Sequence, residues 1–387
     1  MARRPAALRR SCRLPPSGQS RASRPRWFSH GPRLPPPYKS RSCRNRYLMK
    51  ISVIITAYNH ERFIQTALES ALTQTRPADE VIVIDDASTD RTASVIATTL
   101  QGYPKEPVLF IRNEANLGVT GSVAKAMAAA SGDVIVFISG DDISELGRIG
   151  RYITHFESHP TAMAIIANAY VIDESSHHIG LLDNCAGMTE PVVLGISDLP
   201  QGVHFLRGCT ACGAAAAYRA EVFRDFSPLR VGLYAEDEPA AFRAMLLGTC
   251  DFLPETLVRW RKHANNLSYG TGSRRGPEMA VHFRKCEAMV DQMLADADEW
   301  VIRNAGMSAP GPEQAVSSLR FHKAKWALWA VAHEKGVRLS AFFAAAKDMA
   351  GCHPSPSVFL KEAWRPACRM VMPFPLQRLL ARFRTHR

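Results

Sequence analysis

Three short acidic segments carry the side chains best suited to chemistry. Asp85-Asp86 and Asp141-Asp142 each follow a run of β-branched apolar residues, and Glu236-Asp237 comes about a hundred residues further on. Open α/β sheets bind ligands at the carboxyl ends of their strands, and neighbouring carboxylates repel one another unless a cation or a hydrogen-bond donor lies between them. The three segments therefore predict a bound divalent cation and a phosphorylated substrate.

Apolar periodicity predicts the strands and helices that position these acids. Continuous apolar runs indicate strands, and apolar residues at intervals of three and four indicate the helices between them. This alternation is typical of a doubly wound, mainly parallel α/β sheet. We expect strands at 51–57, 81–84, 108–111, 133–138, 163–172, 213–218 and 258–261, helices ending near 74, 100 and 130, and helices at 146–158, 219–224 and 236–247. The residues from 174 to 201 predict a long irregular loop, and those from about 278 onward predict a helical appendage.

The N-terminal 48 residues have a composition of their own. They contain twelve Arg, one Lys, eight Pro and no Asp or Glu, so they account for the formal charge of +12 and leave the other 339 residues close to neutral. Because they have no apolar stretch that could pack, we expect a disordered basic leader. A transit peptide and a nucleic-acid-binding arm are alternatives. The leading hypothesis is that translation begins at Met49, directly ahead of the first strand.

Cysteine content and hydropathy bear on the compartment. The nine Cys are scattered, odd in number and without a secretory signal ahead of them, which indicates a reducing, cytoplasmic setting. Cys209 and Cys212 have redox or zinc spacing, but no second pair completes a zinc set, so we interpret them as small core residues. No run approaches the roughly 18 apolar residues of a membrane span. The tip at 376–387 predicts a basic amphipathic helix that either contacts the membrane or caps the fold with a solvated Arg face.

Five segments together resemble a known family. They are Ile51–Asn59 (ISVIITAYN), Val81–Asp90 (VIVIDDASTD), Asn116–Gly118 (NLG), Gly132-Asp133 and Ser139–Asp142 (SGDD). In this order they resemble the family 2 glycosyltransferases over roughly residues 50–270. The resemblance implies a GT-A fold, a nucleotide-diphosphate sugar donor, a divalent cation (Mn²⁺ or Mg²⁺) and inversion at the sugar's anomeric carbon. We accordingly expect a GT-A domain at 49–272 and a helical C-terminal region at 273–387.

The nucleotide part of the donor is assigned to the ends of the first two strands. A ring to stack on and short polar groups suit a flat base, and in look-alikes the positions of Thr56 and Tyr58 line the base pocket, beside Asn59. The alternatives are a helix cap at Asn59 and a half-buried core side chain at Tyr58. Asp86 resembles the carboxylate that accepts a hydrogen bond from the base, whereas Asp85 is expected to organise the loop.

The cation is assigned to the segment after the fourth strand. Asp141 resembles the second carboxylate of the family's Asp-any-Asp element, whose cation bridges the two phosphates and offsets the charge of the leaving nucleoside diphosphate. Asp142 is either a ligand or a helix N-cap, and His263 resembles a late family His that approaches the diphosphate or the metal. Many relatives carry Asp at the positions of Ser139 and Gly140, so this chain offers fewer carboxylates than usual. We therefore expect a modest metal affinity.

The third acidic segment resembles the family's catalytic pair, Glu236-Asp237. Asp237 is the expected general base for the acceptor hydroxyl, because an alcohol is a poor nucleophile at neutral pH. The alternative is a pair of acids that favours a helix N-terminus through its dipole. Arg261 and Lys262 are candidates to neutralise the phosphates.

Together these features predict one enzymatic activity and leave two alternatives. The prediction is an inverting glycosyltransferase that moves a sugar from a nucleotide-diphosphate donor to a hydroxyl of a glycan or lipid-linked acceptor in cell-surface polysaccharide synthesis. It would act without nucleic acid, in the cytoplasm at the inner face of the membrane. A sugar-phosphate nucleotidyltransferase needs a Gly-rich basic loop after its first strand, which is absent here. A non-catalytic sugar-nucleotide-binding relic is the other alternative, which the reduced Ser139-Gly140 element leaves open.

Overall fold

The structure, a computed structural model, describes residues 49–185, 187–198, 209, 211–266, 277–305, 312–334 and 339–352. The predicted leader at 1–48 and the predicted tip at 376–387 lie outside these residues. The strands are, in chain order, β1 (Ile51–Ala57), β2 (Glu80–Asp85), β3 (Val108–Arg112), β4 (Val134–Ser139), β5 (Ile143–Ser144), β6 (Ala162–Ile172), β7 (His178–Leu182), β8 (Val192–Leu194), β9 (Ala216–Arg219) and β10 (Thr249–Arg261). The α-helices are α1 (Ile64–Leu72), α2 (Thr92–Gln101), α3 (Gly118–Ala129), α4 (Arg148–Ser158), α5 (Glu221–Arg224), α6 (Asp237–Leu247), α7 (Pro277–Arg303), α8 (Glu313–His333) and α9 (Leu339–Gly351).

These strands form one sheet in the order β3-β2-β1-β4-β9-β6-β10-β5, with β7 paired to β6 and β8 paired to β10. Neighbours among β3, β2, β1 and β4 are parallel, β6 and β10 are parallel to each other, and β9 lies antiparallel between β4 and β6. The long strands therefore run in one direction, and their carboxyl ends lie along one edge of the sheet. The predicted doubly wound, mainly parallel sheet is confirmed.

Both faces of the sheet are covered by helices. Along β1, Val53 and Ile55 pack with α1 and α4, whereas Ile54 on the other face packs with α3 and α6. Strands that are buried on both faces need apolar side chains at nearly every position. This two-sided burial explains why the first four strands are continuous apolar runs in the sequence.

The C-terminal helices contribute to one of these two cores. Met289 and Met293 of α7 and Leu319 of α8 join the apolar cluster that contains α6 and one face of the sheet. Beneath them, Arg243 of α6 donates from Nε and Nη2 to the two oxygens of Asp296 on α7, at 2.8 and 2.7 Å, and both side chains are buried. Separation of a buried ion pair would leave an uncompensated charge in the interior, which is strongly destabilising. This bond therefore fixes α6 against α7.

Two segments differ from the sequence prediction. The stretch from 174 to 201 was predicted as irregular, which is wrong for β7, β8 and a 3₁₀ turn at Ile196–Asp198. β7 leaves most of its side chains partly or fully exposed, so it lacks an apolar signal. The last long strand begins at Thr249, not at 258, because the sheet accommodates Pro254 by a register shift between Leu253 and Thr256.

Among the residues that the structure describes, none of the helices combines the length and the apolar character that a membrane crossing requires.

Candidate functional site

Polar side chains from three strand ends converge at the carboxyl edge of the sheet. His60 follows β1, Asp141 follows β4 and His263 follows β10. Each offers one ligand atom, and these three atoms lie within 4.8 Å of one another. Asp141 Oδ2 is 2.8 Å from Nε2 of His263 and 3.7 Å from Nε2 of His60. The sequence predicted Asp141 and His263 for this place and missed His60.

The carboxylate of this cluster is held by further hydrogen bonds. Ser139 donates from its hydroxyl to Oδ1 of Asp141, and Asn266 donates from Nδ2 to Oδ2 at 3.2 Å. The side chain of Asn266 also accepts a 2.6 Å bond from the backbone N–H of His263. Hydrogen bonds of this kind to a metal ligand fix the orientation of the ligand and tune its basicity.

The protonation of the cluster suits a cation. Burial lowers the pKa of His60, an effect that the charge of Asp141 only partly offsets, so this imidazole is neutral near pH 7. Burial acts to raise the pKa of Asp141, but the hydrogen bond from His263 and the nearby imidazoles lower it overall. Two imidazoles beside one carboxylate form a donor set that divalent transition metals accept. The residues present therefore fit a divalent cation.

Gly140 makes room for His60. A Cβ at position 140 would lie 2.9 Å from Nδ1 of His60, 2.9 Å from Cδ1 of Ile64 and 3.0 Å from Cβ of Ala57. No carbon atom fits at such distances unless the neighbours move. The position at which many relatives carry Asp is thus small here, and an imidazole from the β1–α1 loop occupies the freed space.

Asp142 has a different environment from its neighbour. Its Oδ1 accepts a 2.7 Å hydrogen bond from the backbone N–H of Arg261, and the side chain is 1% exposed. Burial and the charge of Asp141 raise its pKa well above the ordinary value, although Arg261 and Arg148 act in the opposite direction. It lies outside the three-residue cluster, and α4 begins only at Arg148, so Asp142 does not cap that helix.

Arg261 connects the β4–β5 loop, which carries Asp141, to the turn between β6 and β7. Its Nε donates to the carbonyl of Asp141 at 2.8 Å, and its Nη1 donates to the carbonyl of Asp173 and the hydroxyl of Ser176, each at 2.9 Å. Its guanidinium lies 4.7 Å from the centre of the Phe63 ring. The side chain is 2% exposed, so it acts as an internal brace and is poorly placed to meet a phosphate.

The residues predicted for the nucleobase lie on two adjacent loops. Thr56 pairs with Ser139 across β1 and β4, and the ring of Tyr58 is 45% exposed at the sheet edge. Asn59 has φ 55° and accepts a 2.9 Å bond from the backbone N–H of Thr89. Asn59 therefore ties the β1–α1 loop to the β2–α2 loop and does not cap α1. Tyr58 presents a ring to solvent, as stacking on a base requires.

Asp85 and Asp86 both act on neighbouring loops. Buried Asp85 accepts from the backbone N–H of Ser88 at 3.3 Å and pairs with Nε of Arg112 at 3.2 Å. Asp86 accepts from the backbone N–H groups of Leu117 and Gly118 at 2.8 and 2.9 Å. A third donor, Nδ2 of Asn113, binds Asp86 at 2.8 Å. The loop role predicted for Asp85 agrees with this geometry, and Asp86 also organises a loop, the NLG turn before α3.

The pair Glu236-Asp237 lies at the start of α6 and is not part of the three-residue cluster. Asp237 accepts from the backbone N–H of Gly213 at 3.2 Å and from that of Glu238 at 2.8 Å. A Cβ on Gly213 would stand 2.2 Å from Oε1 of Glu236, so only glycine leaves space for this carboxylate. Burial raises the pKa of Asp237, and burial with the charge of Asp237 raises that of Glu236 to about 7. Raised carboxyl pKa values of this kind are typical of general bases.

Cys209 and Cys212 are free thiols, and burial raises the pKa of Cys209 to about 11 and that of Cys212 to about 12. Such values disfavour the thiolate at neutral pH. Cys209 is buried in the larger apolar core, as predicted, whereas Cys212 is half-buried against a smaller apolar cluster.

Comparison with known proteins agrees with this geometry. Residues 52–226 match the family model described as glycosyl transferase family 2. An uncharacterised glycosyltransferase of Nostoc sp. is 27% identical over 264 residues, which cover 66% of this chain and 76% of the relative. An uncharacterised glycosyltransferase of Haemophilus influenzae is 29% identical over 225 residues, which cover 56% of this chain and 67% of the relative.

Solved structures agree in fold. The crystal structure of S. aureus TarS 1-349 in complex with UDP-GlcNAc superposes with a TM-score of 0.52 at 17% identity, covering 79% of this chain and 82% of the TarS chain. The fold is that of a GT-A glycosyltransferase. With the matching family model, residues 52–226 form a family 2 glycosyltransferase domain, and the activity that this domain supports is glycosyl transfer.

Proposed function

We propose that this protein is a metal-dependent, inverting glycosyltransferase that moves a sugar from a nucleoside-diphosphate donor to a hydroxyl of a glycan or lipid-linked acceptor. The observation that carries the proposal is that the same domain contains a possible cation site and a buried acid pair. His60, Asp141 and His263 form the first, and Glu236 with Asp237 at the start of α6 forms the second. A donor diphosphate needs a cation, and an acceptor hydroxyl needs a base.

The nucleotide of the donor is assigned to the β1–α1 and β2–α2 loops. The exposed ring of Tyr58 would stack on the base, with Thr56 and Asn59 at the pocket wall. Asp86 already accepts three hydrogen bonds, of which only Gly118 binds Oδ2, so this oxygen has a lone pair left for a base N–H. Asp85 would keep this loop in place.

The metal would be held by His60, Asp141 and His263, and it would stabilise the charge that develops on the leaving nucleoside diphosphate. A set of two imidazoles and one carboxylate favours Mn²⁺ over Mg²⁺, since imidazole suits transition metals while Mg²⁺ prefers oxygen ligands. Asp142 would shape the loop through its bond to the backbone of Arg261 and is assigned no direct metal contact.

The acceptor side is assigned to the start of α6. Asp237 would take the proton of the attacking hydroxyl, and Glu236, with its pKa of about 7, would set the charge of the pair. Direct attack by that hydroxyl on the anomeric carbon inverts the configuration. Residues 49–272 would contain both centres, and residues 273–387 would pack beside them. We place the reaction in the cytoplasm, in cell-surface polysaccharide synthesis at the membrane's inner face.

The test is a nucleotide-sugar screen with the full chain and Mn²⁺. A cognate donor at a hundredfold excess over its dissociation constant should stabilise the fold by about 2.7 kcal/mol and release nucleoside diphosphate when an acceptor is added. Asp237→Asn should keep the stabilisation and lose transfer, whereas Glu221→Gln, an exposed acid on α5, should change neither. Release of pyrophosphate would favour a nucleotidyltransferase. Donor binding without transfer to any acceptor would favour the non-catalytic alternative, and no stabilisation by any donor would contradict the proposal.

A further inference from the structure

A buried arginine lies where strand β9 separates from β4. The register of these antiparallel strands ends at Val136 and Ala217. Nη2 of Arg148, the first residue of α4, donates to the carbonyls of Phe137 and Ala216, the next residue on each strand, at 2.7 and 3.2 Å. Buried carbonyl groups need hydrogen-bond partners. Arg148 therefore continues the connection between the two strands beyond their last pair.

The same side chain binds the 3₁₀ turn Gly213–Ala215, which precedes β9. Nη2 of Arg148 also donates to the carbonyl of Ala214 at 2.7 Å. Tyr152, one helical turn further along α4, donates from its hydroxyl to the carbonyl of Ala215 at 2.7 Å and accepts from Nε of Arg148 at 3.3 Å. The three consecutive carbonyls from 214 to 216 are thus bound by two side chains on one face of α4.

This turn contacts both members of the acid pair. The backbone N–H of Gly213 donates to Oδ2 of Asp237 at 3.2 Å. Gly213 also lies so near Glu236 that a Cβ on it would stand 2.2 Å from Oε1. The three residues whose carbonyls α4 binds follow Gly213 directly in the chain. A shift of this segment would therefore move the hydrogen-bond donor of Asp237.

Arg148 itself cannot meet a substrate, because it and Tyr152 are both 0% exposed. A buried guanidinium is destabilising unless its N–H groups find acceptors. Here the acceptors are the three carbonyls and the two hydroxyls of Tyr152 and Ser144, the latter at 3.0 Å from Nη1. The planar fork of arginine reaches acceptors on several segments at once, which a lysine ammonium does not. The connection between segments explains why an arginine is buried here.

We propose that Arg148, supported by Tyr152, is a positioning residue for the general base. Through the turn Gly213–Ala215 it fixes the N–H group that orients the carboxylate of Asp237 towards the acceptor hydroxyl. The inference rests on the proposed function, in which Asp237 takes the proton of that hydroxyl. Misplacement of a catalytic group by about 1 Å can cost on the order of 10²-fold in rate. A turn released from α4 would thus lower turnover and leave the donor in place.

Tyr152→Phe and Arg148→Lys test this connection in the full chain. Without any donor, exchange of the Gly213 amide proton, followed by NMR on glycine-labelled protein, should be at least about tenfold faster in both variants, because the turn opens more often. With Mn²⁺ and the donor that the nucleotide-sugar screen identifies, kcat should fall at least about threefold in Tyr152→Phe and about tenfold in Arg148→Lys. The KM for the donor should stay within twofold in Tyr152→Phe.

Arg219→Lys is the matched control. Arg219 also donates to backbone carbonyls, those of Ala162 at 2.8 Å and Phe156 at 3.1 Å, and its guanidinium lies 5.1 Å from the centre of the Phe156 ring. It lies at the other end of β9, paired with Val134. Its replacement should leave kcat and the exchange of the Gly213 amide within twofold of the wild type. A thermal melt of each variant reports any general loss of stability separately.

The inference fails if either measurement on Tyr152→Phe matches the wild type. Unchanged amide exchange would show that α4 does not order the turn, and unchanged kcat would show that the order of the turn does not matter for turnover. It also fails if kcat falls equally in Arg148→Lys and Arg219→Lys, since Arg148 would then only stabilise the fold. A loss carried by the KM for the donor in Tyr152→Phe would place the effect at the donor site instead.

The two proposals can fail separately. If no nucleotide sugar binds or is transferred while exchange of the Gly213 amide depends on Tyr152 and Arg148, the proposed function fails and the placement of Asp237 by the turn stands. If transfer occurs and Tyr152→Phe keeps the kcat of the wild type, the positioning role alone fails.

Discussion

Substitution of Gly213 by Ala tests whether the position of the Glu236 carboxylate matters for turnover. The new Cβ would lie 2.2 Å from Oε1 of Glu236, where ordinary contacts are 3.4 Å or more, so the carboxylate must retreat by about 1 Å. The atom that moves is the end of a flexible side chain, and therefore we expect a modest stability loss of about 1–2 kcal/mol. Misplacement of a catalytic group by about 1 Å can cost on the order of 10²-fold in rate. The expected result is a kcat reduced between ten- and a hundredfold.

The assay separates this effect from donor binding. kcat is measured as sugar transfer at saturating donor, and stabilisation by Mn²⁺ and donor is measured by thermal unfolding. Gly213→Ala should lower kcat and leave the stabilisation unchanged, because the metal cluster is built from other loops. Gly147→Ala is the control, since a Cβ at 147 meets no atom within 4 Å.

A second substitution establishes the cause. Glu236→Asp shortens the side chain by one methylene, so in the Gly213→Ala background it relieves the overlap. The double variant should recover part of the lost kcat, more than the two single effects predict. A Gly213→Ala enzyme with kcat within twofold of Gly147→Ala, or a double variant whose losses simply add, would refute the steric argument.

Three further predictions concern the metal cluster and the acid pair. Replacement of His60 by Ala should weaken Mn²⁺ binding at least tenfold, measured by calorimetry, whereas replacement of the exposed His177 by Ala should not change it. Equal Mn²⁺ affinities of His60→Ala and the wild type would show that His60 is not a ligand. Asp142→Asn keeps the oxygen that accepts from Arg261, so Mn²⁺ affinity should stay within twofold, and a drop as large as that of Asp141→Asn would make Asp142 a ligand. The pKa of Glu236 is raised from 4.5 to about 7, so its carboxyl contributes its full share to the free energy of unfolding below pH 4.5 and loses it as the pH rises through 7. Glu236→Gln does not titrate and lacks this pH dependence. In urea unfolding, the free energy of unfolding of Glu236→Gln relative to the wild type should rise by on the order of 3 kcal/mol between pH 4.5 and 8.5. Parallel pH profiles of the two proteins would show that the pKa of Glu236 is not raised.

The first half of the fold could be predicted from the sequence because each strand there is buried on both faces. Such strands are continuous apolar runs, so β1 to β4 were found within a residue or two at each end. The second half gave weaker signals. β7 is largely exposed, and β10 contains Pro254, whose missing N–H is tolerated only by the register shift that the sheet makes there. A local pattern does not reveal such tertiary accommodation.

The candidate site was predictable only where acids follow strands. Asp141, Glu236 and Asp237 stand at element ends that the apolar pattern reveals, and His263 was assigned by resemblance. His60 lies in the β1–α1 loop, and its partners are 81 or more residues away in the chain. The reduced Ser139-Gly140 element predicted fewer carboxylates at this place. Only the fold brings His60 beside Asp141 and His263.

Gly140 and Gly213 are explained by the same steric requirement, one at the cluster of His60, Asp141 and His263 and the other at the acid pair. At each position a Cβ would overlap a functional side chain of another segment, His60 at 2.9 Å and Glu236 at 2.2 Å. Neither glycine has a positive φ, so backbone conformation does not require them. Glycine is therefore required at both positions because a neighbouring side chain approaches the backbone closely, despite the cost of glycine in chain entropy. The same reasoning predicts that Gly140→Ala should weaken Mn²⁺ binding as His60→Ala does while leaving general-base catalysis to Asp237. Gly213→Ala should do the reverse, since the two glycines serve separate centres.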